Sequence, residues 1–430
     1  MEIGLQRSAA QRGEYQVTEP ITTRSQWSEE DFRSFCGDVF ASLGRTDQRN
    51  AAETYLYGLL NCSGRKSIRR LVETAPGRSE QSLQQFINQS PWDPEPIRRR
   101  LFERLVQHLK PSAYVIEEVH FPKHGRYSAA VERQYVHTLG RVSNCQLAIT
   151  VTLTDEDLTV PINWRLMVPE AWGRDAERRT RARMPNHELP RPYWQYQVEV
   201  LDDMALEWGL PSAPVVVDTA NRTNIEPFLA GLEQRRQPYL VHVSPTQRVW
   251  YETTGNRTPR PQMASLGDTQ TLPWHLTVSD LIARTWNLPR ETVEWRHEGA
   301  TGLRSQFLQL PVRATLSDGV AGRAHGPAPQ RMLLCEWPLG KARPRGFWLT
   351  NMVDRPLSDL VSLAKIRLQA GPRLEAFADR YGLRDYEGRT FAGWHHHVAL
   401  CSAAYTYDVI SERTGTKCPS DEDRLEYVAS

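Results

Sequence analysis

The sequence predicts a mixed α/β (α+β) fold: one mixed β-sheet covered by helices and preceded by an all-helical segment. Three observations carry this. Residues 26–110 show helical spacing with almost no strand signal. From Ala113 onward, short β-branched runs such as "CQLAITVTL" (145–153) and Val215-Val216-Val217 dominate. Two long helical patterns then close the chain at about 356–382 and 391–412. Strand runs interleaved with helices fit a mixed sheet with helical layers.

The elements follow in order. Residues 1–25 are polar and are expected to form a tail. Ser28-Glu29-Glu30-Asp31 has a hydroxyl cap and first-turn acids, and Phe32, Phe35, Val39 and Phe40 recur behind it at helical spacing. Further helices are expected over 47–61, 66–74, 79–88 and 95–109, completing the N-terminal domain. Strands are expected at 113–118, 145–153 and 159–169, a helix at 192–208, a buried strand ending on Asp218, another helix, and a strand at 239–243. Residues 245–345, rich in Pro, Gly, Thr and Trp, read as a β-rich insertion, and "GFWLTN" (346–351) as one more strand. This is the order of a ribonuclease H-like fold. Its first part is expected at 111–244, its last strand and helices at 346–412, and a C-terminal tail at 413–430.

Composition excludes several classes. The chain has 430 residues, with 53 basic against 51 acidic, so net charge points to no partner. The cysteines Cys36, Cys62, Cys145, Cys335, Cys401 and Cys418 are scattered and contain no C-x-x-C pair, which fits free thiols in a reducing cytoplasm and gives no zinc site. No apolar run approaches the roughly 18 residues of a membrane helix. The expectation is a cytoplasmic protein with no membrane partner.

"AYVIEEVHFPKHGRYS" (113–128) brings Glu117 and Glu118 to the end of the first strand, and Asp218 ends the fourth. Carboxylates at neighbouring strand tips can bind Mg²⁺, and a third acid from a helix completes a two-metal site for phosphodiester chemistry. Equally, acids at strand ends are often solvated turn residues. Trp394-His395-His396-His397 reads as packing, because adjacent helical residues point apart. Arginines cluster in two places: Arg98, Arg99, Arg100 and Arg104 in one, and Arg174, Arg178, Arg179, Arg181 and Arg183 in a segment read as a loop. Guanidiniums suit phosphate oxygens.

"YLYGLL", "QQFINQSPWD", "FPKHGRYS", "RQYVHTLGRVSNCQ", "INWRLMVPEAW", "VVVDTANR", "FWLTN" and "GLRDYEGRTFAGWHHHVAL" occur in that order. With them, residues 50–405 resemble the bacterial insertion-sequence transposases of the DDE superfamily endonuclease group. The resemblance implies Mg²⁺-dependent phosphodiester hydrolysis and strand transfer on DNA. It also shows departures. Glu117, Glu118, Val119 and His120 replace the Asp-Asp-Thr-Gly that precedes Phe-Pro-Lys in the family. Asp218 is kept. In the helix segment of type Arg-Trp-Arg-Ile-Glu, the residues are Arg367-Leu368-Gln369-Ala370-Gly371, so Gly371 stands at the acid position, and Pro372 follows. Gly-Pro is expected to disrupt that helix unless the helix starts there.

These departures predict a degenerate acidic triad, inactive for transposition, with nucleic-acid binding retained. Glu375 is the candidate substitute acid, which would restore a nuclease with Glu117 and Asp218. A third reading places small-molecule chemistry on Glu117, Glu118, His120 and Asp218, with another divalent metal in place of Mg²⁺. The expected DNA contacts are Arg98, Arg99, Arg100, Lys123, Arg133, Arg141, Arg178, Arg179, Lys365 and Arg367, and a homodimer is a further partner considered.

Overall fold

The computed structural model describes residues 28–75, 77–155, 157–251, 276–295, 302–314 and 329–414. The expected tail at 1–25, Cys418 and parts of the 245–345 segment lie outside these residues.

Among the described residues, five helices come first: α1 (Glu29–Val39), α2 (Thr46–Asn61), α3 (Ile68–Thr74), α4 (Glu80–Asn88) and α5 (Glu95–His108). Ser28 caps α1 by accepting from the Asp31 N–H at 3.0 Å, and Ser79 caps α4 in the same way through Ser82. Four strands follow: β1 (Ala113–Pro122), β2 (Glu132–Val136), β3 (Arg141–Thr154) and β4 (Thr159–Leu166). Next come α6 (Ala176–Arg181), α7 (Tyr193–Glu207), β5 (Val215–Asp218), α8 (Glu226–Gln234) and β6 (Tyr239–His242). The described parts of 245–345 hold β7 (Arg248–Val249), β8 (Leu276–Thr277), α9 (Val278–Arg284), β9 (Glu291–Trp295), β10 (Leu303–Arg313) and β11 (Gln330–Pro338). The last described elements are β12 (Gly346–Thr350), α10 (Leu357–Arg380) and α11 (Phe391–Thr414).

The main sheet runs β2-β3-β1-β5-β6-β12-β11-β10-β9, with β4 also paired to β3. β1, β5 and β6 are parallel to one another, whereas β3 is antiparallel to both β1 and β4. The path β4-β3-β1-β5-β6 is the ribonuclease H-like sheet expected from the sequence. Strands β11, β10 and β9 do not form a separate unit. They extend the same sheet beyond β12. Two features go beyond the sequence expectation: β2 pairs with β3 as a hairpin, and part of the segment expected as loop at 173–185 forms α6.

α10 packs on one face of the sheet, where Val115, Val216 and Leu240 meet Leu360, Val361 and Ala364. The expected disruption at Gly371-Pro372 is not observed, and α10 runs unbroken for 24 residues. Pro372 has no N–H for the Leu368 carbonyl, so the helix passes through it with one backbone hydrogen bond fewer.

α11 is buried on nearly every side, which explains its lack of a polar face. It joins the N-terminal helices to the sheet. His396 meets the carbonyls of Ile87 and Trp92 at 2.9 and 2.8 Å, His397 Nδ1 lies 2.9 Å from the Tyr55 hydroxyl, and Trp164 of β4 donates to Ser402 at 3.1 Å. The three histidines are therefore packing and hydrogen-bonding groups, as the sequence suggested.

Candidate functional site

β1 and β5 run parallel, with Ile116 opposite Val217 as their last paired position. One residue further, Glu117 and Asp218 lie on the same face; Asp218 ends β5, but β1 does not stop at 118 as expected and runs on to Pro122 along β3, so Glu117 sits inside the strand where its pairing with β5 ends. That face carries α10, and Arg367 descends from it between the two acids. Its Nε and Nη2 donate to the two Glu117 oxygens at 3.1 and 3.0 Å, and its Nη1 donates to Asp218 Oδ2 at 2.5 Å. The fork on Glu117 is bidentate, the strongest geometry for a guanidinium and a carboxylate.

The other Asp218 oxygen is also engaged. Oδ1 accepts from the Ala220 N–H at 2.9 Å and lies 3.0 Å from His242 Nδ1. Asp218 and His242 are directly paired across β5 and β6. Trp348 of β12 pairs with His242 in turn, its ring 5.2 Å from the imidazole. Burial pushes the Asp218 pKa up, but the His242 hydrogen bond, the Arg367 charge and the Ala220 N–H outweigh it and hold the carboxyl well below its usual range. Burial likewise works against the Arg367 charge, yet Glu117 and Asp218 raise its pKa above the ordinary arginine value.

Glu118 points to the opposite face. It pairs with Arg222, whose guanidinium lies 3.8 Å from the Tyr193 ring centroid. Burial raises the Glu118 pKa, and Arg222 only partly offsets it. His120 shares that alternation, so β1 turns it away from Glu117. Burial and Arg384 lower its pKa, and the imidazole that reaches Asp218 is that of His242. Glu375 does not join the pair either. It accepts from Arg384 at 2.8 Å, and its side chain is 58% exposed. Gly371 lies one turn beyond Arg367, with open space where a side chain would stand.

The expected DNA contacts separate into engaged and free cations. Arg98 is 3% exposed, and its guanidinium donates to the Trp164 carbonyl at 3.2 Å, so it is a buried structural group. Arg100 holds Asp38 and Glu103, and Arg99 holds Glu103. Lys123 donates to the Tyr386 carbonyl at 2.5 Å, and burial brings its pKa down to about 8. Lys365 is ion-paired to Glu336 at 2.5 Å beneath the Trp295 ring. Arg178 is held by Glu132 and Asp175, and Arg179 caps backbone carbonyls at Pro185 and Glu188. Arg133 and Arg141 are exposed.

A family model described as DDE superfamily endonuclease matches residues 38–302. The chain belongs to this family. The matched stretch contains Glu117 and Asp218 and ends before α10. A probable transposase for insertion sequence element IS701 from Microchaete diplosiphon is 30% identical over 118 residues, covering 27% of this chain and 31% of that protein. The chain thus spans about a third of the length of this curated relative.

DDE superfamily endonucleases use divalent metal ions. A cation already bridges the acids, and among the described residues no group of three His, Cys, Asp or Glu side chains could hold a metal ion. Among the described residues, no helix is long and apolar enough to cross a membrane.

Sequence reasoning missed His242 and Arg222. A signal for His242 was present: "VVVD" and "YLVH" are two short buried strands that each end on a polar residue. Arg367 was singled out for DNA, but its partners are the two acids. That pairing depends on side-chain reach across a fold and leaves no trace in local sequence.

Proposed function

We propose that this DDE-family protein has lost metal-dependent phosphodiester chemistry and acts as a nucleic-acid-binding protein. One observation carries the reading: the Arg367 guanidinium bridges Glu117 and Asp218. A bound cation neutralises both carboxylates, and a divalent ion entering there must displace two charge-assisted contacts. The substitution at Gly371 accounts for the bridge. In the family pattern, an arginine and a glutamate four residues apart on one helix face can pair with each other. With Gly371 in that place, Arg367 has no acid on its own helix turn, and Glu117 and Asp218 supply the partner. Glutamate at 117 adds about one methylene of reach, which favours a fork on a guanidinium over the tight octahedral geometry of Mg²⁺.

Purified protein incubated with DNA and Mg²⁺ or Mn²⁺ is expected neither to cleave strands nor to join ends. Metal-dependent cleavage that disappears in Asp218→Ala would overturn the proposal. Glu117→Asp combined with Gly371→Glu and a neutral residue at Arg367 is the variant expected to regain cleavage.

A further inference from the structure

The cations of this chain divide into neutralised and free. On α5, the arginine run that looks most like a DNA contact is already satisfied: Arg98 is buried, Arg99 and Arg100 take Glu103, and Arg100 and Arg104 share Asp38. The opposite holds at the edge of the sheet. Arg133 and Arg141 lie on the β2–β3 hairpin, and Arg174 and Arg183 flank α6. All four are exposed. Among the described residues, none of the four side chains has an acidic partner. Three nearby acids are occupied by other arginines: Arg178 takes Glu132 and Asp175, and Arg181 takes Glu177.

The hairpin and α6 adjoin at the sheet edge: strand alternation puts Arg141 on the face of Glu132, to which α6 is fastened, and Arg133 on the opposite face of the same edge. Arg178 fastens α6 to β2 through Glu132 at 3.1 Å, and Trp172 donates to the Val131 carbonyl at 2.8 Å. Arg181 stacks 4.4 Å from the Tyr127 ring, and Arg126 lies 5.0 Å from the same ring. Beside α6, a cavity of about 460 Å³ is lined by Arg174, Arg183, Thr180 and Asn186, whose donors suit anionic oxygens, together with Arg179, Gly173, Ala176 and Met184. β2 is the edge strand. On it, Tyr135 pairs with Val142, and the two are 51% and 54% exposed.

We propose that this surface, the β2–β3 edge together with α6, holds the phosphate backbone of DNA, with the α6 cavity seating one phosphate group. The inference rests on the nucleic-acid-binding function proposed above and gives it a place. Free guanidiniums release condensed counterions when they meet phosphates, whereas guanidiniums already held by carboxylates have little charge left to offer. Charged side chains also protect edge strands from pairing with other chains. Charge reversal separates that role from DNA binding, because a glutamate protects an edge as well as an arginine does.

The test is fluorescence anisotropy with labelled single- and double-stranded oligonucleotides across a NaCl series. It compares the full chain, Arg133→Glu/Arg141→Glu, Arg174→Glu/Arg183→Glu and, on α5, Arg99→Glu. Each double variant is expected to lose about tenfold or more in affinity at low salt and to show a shallower salt slope by about one to two. Arg99→Glu is expected to bind like the parent. Thermal melts of these surface variants control for folding. Double variants that bind as tightly as the parent overturn the placement, and so does an equal loss in Arg99→Glu. A parent chain that binds neither oligonucleotide at low salt overturns the nucleic-acid function itself.

Discussion

Asp218 and His242 face each other across two parallel strands, with Oδ1 and Nδ1 3.0 Å apart, while Arg367 holds the other Asp218 oxygen at 2.5 Å. Both carboxylate oxygens are thus engaged, one by an imidazole and one by a guanidinium. This arrangement stabilises the ionised acid and sets the direction of its pH dependence.

The folded-state pKa of Asp218 is depressed: burial raises it, but His242 and Arg367 lower it further. A depressed acid binds its proton less tightly when folded, so its contribution to stability is complete above the unfolded value of about 3.9 and is lost as pH falls below it. Urea unfolding between pH 6 and pH 2 is expected to show a loss of stability at the acid end. That loss should be smaller in Asp218→Asn, which has no such proton to bind. Parallel curves for the two proteins would contradict the assignment.

Removing the bridging cation leaves two neighbouring carboxylates facing each other. Arg367→Ala is expected to destabilise the chain by about 1–3 kcal/mol, below the cost of breaking a fully buried pair, because the Arg367 side chain is 30% exposed. The same variant opens the acid pair to a divalent ion. Millimolar Mn²⁺ is expected to raise its melting temperature by binding the folded state only, while leaving the parent chain unshifted. Equal Mn²⁺ stabilisation of both proteins would show that Arg367 does not close the site.

Gly371 sits inside α10 with free space around its missing side chain. Glycine inside a helix costs roughly 0.5–1 kcal/mol relative to alanine. Pro372 works against the full gain, because a Cβ before proline is crowded in helical conformation. Gly371→Ala is expected to raise stability by at most about 0.5 kcal/mol, read as a higher urea midpoint at unchanged slope. A lower midpoint would mean that the backbone there needs glycine.

Lys123 is half-buried over the Tyr386 ring, and desolvation lowers its pKa to about 8. A base with a depressed folded pKa releases its proton on folding, so stability rises with pH between about 8 and the unfolded value of about 10.4. That rise is expected to disappear in Lys123→Met. If the slope between pH 8 and 10 survives the substitution, it belongs to another group.

The sequence by itself determined the order of elements, because each depends on local pattern. Ser28 with its acids marked a helix start, Val215-Val216-Val217 marked a buried strand, and the strand order gave the ribonuclease H-like sheet. Glu117 and Asp218 could be paired from sequence for the same reason: each follows a short apolar run, Tyr114-Val115-Ile116 or Val215-Val216-Val217, and this fold lays the two runs side by side. What only the tertiary structure decided was where long side chains go once the strands are placed. Arg98 and Arg133 look equivalent in the sequence, yet one lies under Trp164 and the other on an open edge. Arg367, Glu117 and Asp218 meet across 250 residues, and His242 displaces His120 as the imidazole of the site. Partner choice for a charged side chain depends on distance, burial and competing charges in three dimensions, and none of these is fixed by its neighbours along the chain.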